Sequence, residues 1–183
     1  MVKHYEAKHF FMAIGICVLI VTPVLLVFMP AFIANSIYLT PGTWIVIVPA
    51  KSYIIYAVGS FVIGASSLLL YFGKLRKTVV IIGIILFISG IILLLLGARP
   101  HIAIGDKGIA YNNSLSAHIN QYSWQDVEEI NYYDIDRSEG FDQYEIFFTD
   151  GNKVLLSENG FLMRYHKALF DKFSEENITI HWK

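Results

Sequence analysis

Polar and apolar residues are distributed very differently in the two halves of the chain. Up to about residue 98, long uncharged apolar runs are separated by short polar breaks; beyond it, apolar residues recur in short alternating stretches. Phe10 to Ala34 is a 25-residue run without a charge, Tyr53 to Gly73 is a second run, and Thr78 to Ala98 is a third of 21 residues. The third is bounded by Lys74, Arg76 and Lys77 on one side and Arg99-Pro100 on the other. A helix rises about 1.5 Å per residue, so such a run crosses a hydrocarbon layer roughly 30 Å thick. The pattern predicts three transmembrane helices, at about 10–34, 53–73 and 78–98, in a region spanning 1–98. A soluble domain is expected over 99–183.

The breaks refine this. The first run is longer than the apolar core of a signal peptide and another follows it, so it reads as a retained helix. Pro23 should kink it, and Pro30 should lie near its exit. Between the first two runs, Pro41-Gly42 marks a turn. Trp44 to Val48 reads as an interfacial or short extended segment, with Tyr38, Trp44 and Tyr53 suited to the headgroup level. In the second run, Gly59, Gly64, Ala65, Ser66 and Ser67 form a small-residue face on which a helix can pack closely. A second copy of the chain is one candidate for that helix, although Gly59 and Gly64 are not in GxxxG spacing. Lys74 to Lys77 allows only a tight turn, so the second and third runs should form an antiparallel hairpin.

The C-terminal half carries strand signals. His101–Ile104 and Ile109–Tyr111 flank a glycine-containing turn, and Asn112-Asn113-Ser114 is a further turn. His118–Trp124 and Glu129–Ile135 follow as strands. Gln143–Thr149 alternates with Tyr144, Ile146 and Phe148 on one side, and Asp150-Gly151-Asn152 returns the chain into Lys153–Ser157. The period then changes: Leu162, Tyr165, Leu169 and Phe173 predict one amphipathic helix over Phe161–Asn177. Ile178–Ile180 and Trp182 read as a last short strand. The expected fold is therefore membrane α-helical, plus a C-terminal mainly-β domain with one helix.

Charge separates the halves too. Residues 1–98 carry six Lys/Arg and one acid, net +5, whereas 99–183 carry eight Lys/Arg and fourteen acids, net −6. An acidic domain is a poor partner for nucleic acid, and for anionic lipid by charge alone. Five Lys/Arg (3, 8, 74, 76, 77) fall on the side of the N-terminal tail and the 74–77 turn. Two (51, 99), or three with Lys107, fall opposite. The positive-inside rule then puts the tail in the cytoplasm and the domain outside, with the cytoplasm as the alternative. The single cysteine, Cys17, reads as a packing or lipid-facing residue and reports nothing on redox compartment.

One segment stands out: Trp124-Gln125-Asp126-Val127-Glu128-Glu129-Ile130. It follows a D-x-G turn (Asp106-Lys107-Gly108) and an Ile-x-Tyr strand, and precedes an Asp150-Gly151 hairpin and a helix. This order resembles bacterial pleckstrin-homology-like (PH-like) domains attached to membrane helices, whose W-x-D-[IV]-x-x-I segment lies between strands. The resemblance covers about 80 residues and implies a binding or scaffolding module rather than an enzyme. Some such proteins are linked to bacteriocin immunity or envelope stress. Two features depart from the family: a two-helix hairpin before the domain is common there, and many relatives hold the domain in the cytoplasm. Physically the segment reads as a corner. Trp124 closes a strand, Asp126 accepts hydrogen bonds from nearby backbone, and Val127 and Ile130, three apart, both reach the core from one helical turn. Ligand contact through Trp124 is the competing reading.

Other constellations are weak. Asp134–Glu145 has acids in calcium-loop style, but Glu139 stands where an EF-hand needs glycine. His4, His9, His101, His118, His166 and His181 show no zinc spacing and read as surface or interfacial. No phosphate-binding glycine loop or nucleophile elbow occurs, and the three runs hold no ionisable group of the kind that carries protons or ions. The sequence thus points to a multi-pass bacterial cell-membrane protein with a PH-like module. It would have the lipid bilayer and a protein as partners, no cofactor, metal or nucleic acid, and no catalysis. An immunity or envelope-stress factor is the alternative, and a small membrane enzyme around Arg99, His101 and the 35–52 connection is a third.

Overall fold

A computed structural model describes residues 7–113, 115 and 118–183. Lys3, His4 and Ser114 of the expected turn lie outside the described residues. The chain divides into two compact units, one mainly helical and one mainly β.

The helical unit holds three helices long and apolar enough to cross a membrane: α1 (Ala7–Tyr38), α2 (Ala50–Phe72) and α3 (Lys77–Gly97). Helix α1 runs four residues further than the apolar run alone implied, ending at Tyr38 rather than at Ala34. Pro30 is accordingly a buried interior residue, as Pro23 is an interior one, and not an exit marker. Polar side chains near this end stay helical by bonding back one turn: Asn35 Nδ2 donates to Ala31 O at 2.8 Å and Ser36 Oγ to Phe32 O at 2.8 Å.

Helices α2 and α3 form the expected hairpin. Its turn is a Schellman motif: the Leu75 N–H reaches Leu70 O and the Lys74 N–H reaches Tyr71 O. Lys74 occupies the left-handed position usually given to glycine, at φ 51°. What joins the two helices is a heptad register absent from the sequence-based expectation. Gly83, Gly90 and Gly97 of α3 are all buried and meet Leu70, Ile63 and Tyr56 of α2, so both sets step by seven residues in opposite directions. A seven-residue step keeps one seam facing the partner helix. Ser66 Oγ donates across it to Gly83 O at 2.7 Å.

The small-residue face of α2 is therefore lined by helices of the same chain. Gly59 lies against Gly90 O and Leu93 of α3, and Gly64 against Leu19 of α1. Gly15 of α1 returns the contact against Leu68. Small residues serve here to bring three helices of one chain together.

The β unit has two four-stranded sheets. The first has strand order β1-β2-β3-β4: β1 (Thr43–Ile47), β2 (His101–Gly105), β3 (Gly108–Asn112) and β4 (Asn120–Ser123). The second runs β7-β6-β5-β8: β5 (Val127–Tyr133), β6 (Gln143–Phe148), β7 (Lys153–Ser157) and β8 (Thr179–Trp182). Pairings are antiparallel for β1/β2, β3/β4, β5/β6 and β6/β7, and parallel for β5/β8. A parallel pair needs a long crossover, here supplied by α4 (His166–Glu175) and the turn before it.

Strand β1 corrects the expected boundary at residue 98. The segment Trp44–Val48 is extended, as one reading allowed, but it is an edge strand of the first sheet. Ile45 pairs with Ile104 and Ile47 with Ile102, and Ile45 and Val46 are buried. The close approach depends on Gly105, where a Cβ would sit 2.1 Å from Gly42 O. The alternation Trp44-Ile-Val-Ile-Val is a strand signal that its place between two long apolar runs disguised.

The core is made of inward positions of both sheets closed by α4: Ile104, Ile109, Ile130, Ile146, Phe148, Leu156, Leu162, Leu169 and Phe173 are each at most 2% exposed. The expected single helix over 161–177 is two pieces, a 3-10 turn at Leu162–Tyr165 and then α4. Asn159 causes the tight start, because its side-chain oxygen takes the N–H groups of Phe161 and Leu162 at 3.1 and 3.2 Å. Asn177, at φ 55°, ends α4 as the Ile178 N–H reaches back to Phe173 O.

Candidate functional site

The four residues singled out by the sequence, Trp124, Asp126, Val127 and Ile130, lie where the first sheet passes into the second. Trp124–Asp126 form one 3-10 turn between β4 and β5. Asp126 Oδ2 accepts both the Ser123 N–H and the Ser123 hydroxyl at 2.7 Å, and Asp126 O accepts the Thr149 N–H at 2.9 Å. Val127 and Ile130 are both buried, but not through a helical turn. They lie on β5, where a bulge at Val127/Glu129 inserts one extra residue, so positions three apart face the same side.

Trp124 is 2% exposed, so its ring offers no surface to a ligand. It donates Nε1–H to Gly105 O at 3.0 Å, stacks on Trp44 at 6.2 Å between centroids, and meets Phe173 edge-on. Trp44 in turn donates to Asp106 Oδ1 at 2.7 Å. One indole thus ties β1, the β2–β3 turn and α4 to the corner. Asp126→Ala should lower stability by about 1 kcal/mol, the usual loss for a capping side chain, with Asp126→Asn retaining most of it. Thermal unfolding in detergent checks this.

A second polar cluster was not anticipated. Glu158, 7% exposed, follows β7 and accepts hydroxyls from Tyr132 at 3.2 Å and Tyr144 at 3.1 Å, and His166 Nδ1 lies 2.5 Å from its other oxygen. The single Tyr132 proton is shared between Glu158 and the nearer Asp142, at 2.9 Å, and Asp142 takes the Ile135 N–H at 3.0 Å. That backbone bond, then the tyrosine, holds the Asp142 carboxyl below its usual range. An inward-facing tyrosine needs a partner for its hydroxyl. The alternation that put Tyr144 inside was therefore a signal that a buried acceptor should exist.

A third cluster fastens the β6–β7 hairpin. Tyr122 donates to Asp150 Oδ2 at 2.6 Å, Asn152 Nδ2 donates to the Tyr122 oxygen at 2.8 Å, and the Tyr122 ring stacks on Phe148 at 3.8 Å. Burial first, then Asp150, pushes the Tyr122 phenol up to about 12. Tyr132 and Tyr144 are pushed higher still, again first by burial, then by Asp142 and by Glu158 respectively. An unfolded tyrosine ionises near pH 10. Above that the unfolded chain releases protons that the folded chain keeps, so stability is intact below pH 10 and falls as pH rises. The Tyr122 share is lost by about pH 12. Tyr122→Phe should flatten this alkaline decline, and phenolate absorbance should show the three tyrosines titrating after the rest.

The other sequence candidates are also placed. In the Asp134–Glu145 loop, Asp136 accepts the Ser138 N–H and hydroxyl, and Glu145 pairs with Lys153 at 2.7 Å and accepts from Tyr133. Among the described residues no group of three or more potential ligands is arranged to hold a metal ion. His101 is 1% exposed, with Nδ1 2.7 Å from Arg99 O, which corrects its surface assignment; burial lowers its pKa. His9 lies against the Tyr71 ring, and His181 is 3.4 Å from Glu129.

The polar groups of all three clusters bond to one another or to backbone, an arrangement that holds strands in register. The sequence matches no known protein family and no characterised protein.

Proposed function

We propose that this chain is a multi-pass membrane protein, bacterial in type, whose PH-like domain binds a protein partner at the membrane without catalysis. The observation that carries the reading is the pairing of β1 with β2. The two strands lie on either side of the α2–α3 hairpin in sequence, so they must share a compartment. Two membrane crossings between them satisfy that requirement, and one or three would not. The domain is then joined to the membrane helices at three short connections, 39–42, 48–49 and 98–100. The Lys/Arg asymmetry favours a module outside the cytoplasm, with the cytoplasm as the alternative.

The non-catalytic reading is supported by how the reactive side chains are used. Glu158, Asp142 and His166 are engaged by tyrosines and by each other. The sheet edges include β4 and β7, and Leu155 on β7 is 50% exposed. A photo-crosslinking residue at Leu155 or Gln121 in the full chain, activated in intact cells, tests the idea. A discrete adduct with another protein, absent when the label is moved to buried Leu156, is expected. Adducts with lipid alone, or none, would refute it.

A further inference from the structure

The 3-10 turn before α4 carries an apolar tip. Leu162 points into the core at 0% exposure, while its neighbours Phe161 and Met163 point out at 70% and 58%. Single exposed apolar residues are ordinary, but two large ones flanking one buried leucine make a paired, outward-facing tip. The charge around it is equally unusual. From Asn159 to Phe170 the chain has no acid, although residues 99–183 carry fourteen, and Arg164 and Lys167 in this stretch are both exposed. A large apolar pair next to exposed Arg and Lys is the composition of a segment lying at a bilayer surface.

Position agrees with composition. The turn lies against β1. Four residues separate β1 from the end of α1 and two separate it from the start of α2. At no more than about 3.6 Å per residue, the link from Ile47 to Ala50 spans roughly 11 Å. The link is short enough to keep the end of β1 within that distance of the start of α2.

We propose that Phe161 and Met163 dip into the surface of the bilayer that α1–α3 cross, with Arg164 and Lys167 meeting lipid phosphates. This rests on the membrane reading given above. It requires no net positive domain: of the two acids that bound the stretch, Glu158 is buried and held by Tyr132, Tyr144 and His166, and acids more than about 10 Å away are screened. The tip would give the domain a lipid contact in addition to its three covalent links.

The test uses the full chain with Cys17→Ser, in nanodiscs, carrying a nitroxide at Phe161→Cys or Met163→Cys. Collisions with oxygen, which concentrates in lipid, are compared with collisions with a water-soluble nickel chelate. Gln121→Cys is the aqueous reference, on β4 at the sheet edge opposite β1. Ile85→Cys, on the exposed face of α3, is the lipid reference. The expected result is that both tip labels follow Ile85→Cys in favouring oxygen. In anionic nanodiscs, Arg164→Gln and Lys167→Gln should each reduce the docked-to-undocked ratio about fivefold. Tip labels that follow Gln121→Cys overturn the proposal, as do labels shielded from both reagents, which would mean that protein covers the tip. Failure of Ile85→Cys to favour oxygen would instead refute the membrane reading itself.

Discussion

A fragment restricted to residues 99–183 should not reach a stable native state, although it contains the whole C-terminal half of the sequence. It lacks β1. Losing Ile45, which is 7% exposed, removes about 1.5–3 kcal/mol of apolar burial. Each lost strand hydrogen bond removes roughly another 1 kcal/mol, and the Trp44–Trp124 stack disappears with them. The total of about 5 kcal/mol or more compares with the whole stability of a small domain, roughly 5–15 kcal/mol. The fragment also exposes β2 as a bare, apolar edge, the kind of surface on which chains aggregate. Circular dichroism and sedimentation should therefore report a poorly ordered, self-associating species. Fusing residues 40–48 ahead of residue 99 through a short Gly-Ser linker should restore a cooperative, monomeric fold. A stable monomeric 99–183 fragment would show that β1 is dispensable.

The second large effect is expected at Gly90. A Cβ there would lie 2.5 Å from Ile63 Cγ1 and 3.0 Å from Gly59 O. Ile63 can yield by changing rotamer, but the carbonyl of Gly59 belongs to a helix and cannot. Gly90→Ala should cost about 1–3 kcal/mol as overpacking, even after the roughly 1 kcal/mol that alanine gains as a helix former. Gly90→Leu should separate α2 from α3 outright. Thermal unfolding in detergent gives the magnitude. Adding Ile63→Ala to Gly90→Ala should recover part of the loss, since residues in contact are not additive. Additive losses would mean that the two residues do not touch.

The lengths of the apolar runs and the alternation of the strands made most elements legible from the residues alone. Lys153–Ser157 was placed at its observed bounds, and the α2–α3 hairpin followed from four residues too few for anything else. What escaped had a common cause: pairing between distant positions leaves no local period. Trp44–Ile47 looked interfacial because its partner, Ile102–Gly105, lies beyond two further helices. The glycine heptad of α3 is hidden because glycines seven apart in an apolar run show their purpose only when the facing side chains of α2 are in place. Glu158 escaped because a lone acid after a strand looks solvated until Tyr132 and Tyr144 are known to converge on it. The Trp124 corner was recognised from its residue types, but its geometry needed a bulge, which inserts a residue without any sequence mark.

The sequence distance between β1 and β2 also fixes an order of events during synthesis. Ribosomes add about 5–20 residues per second, so some 3–12 seconds separate Thr43 from Gly105. Throughout that interval the first strand has left the ribosome without its mate, while the intervening hairpin is still being delivered. The sheet can close only afterwards, and β8, which adds in parallel beside β5, arrives last of all. Completion of the first sheet therefore waits on the synthesis of the whole α2–α3 hairpin that lies between its first two strands.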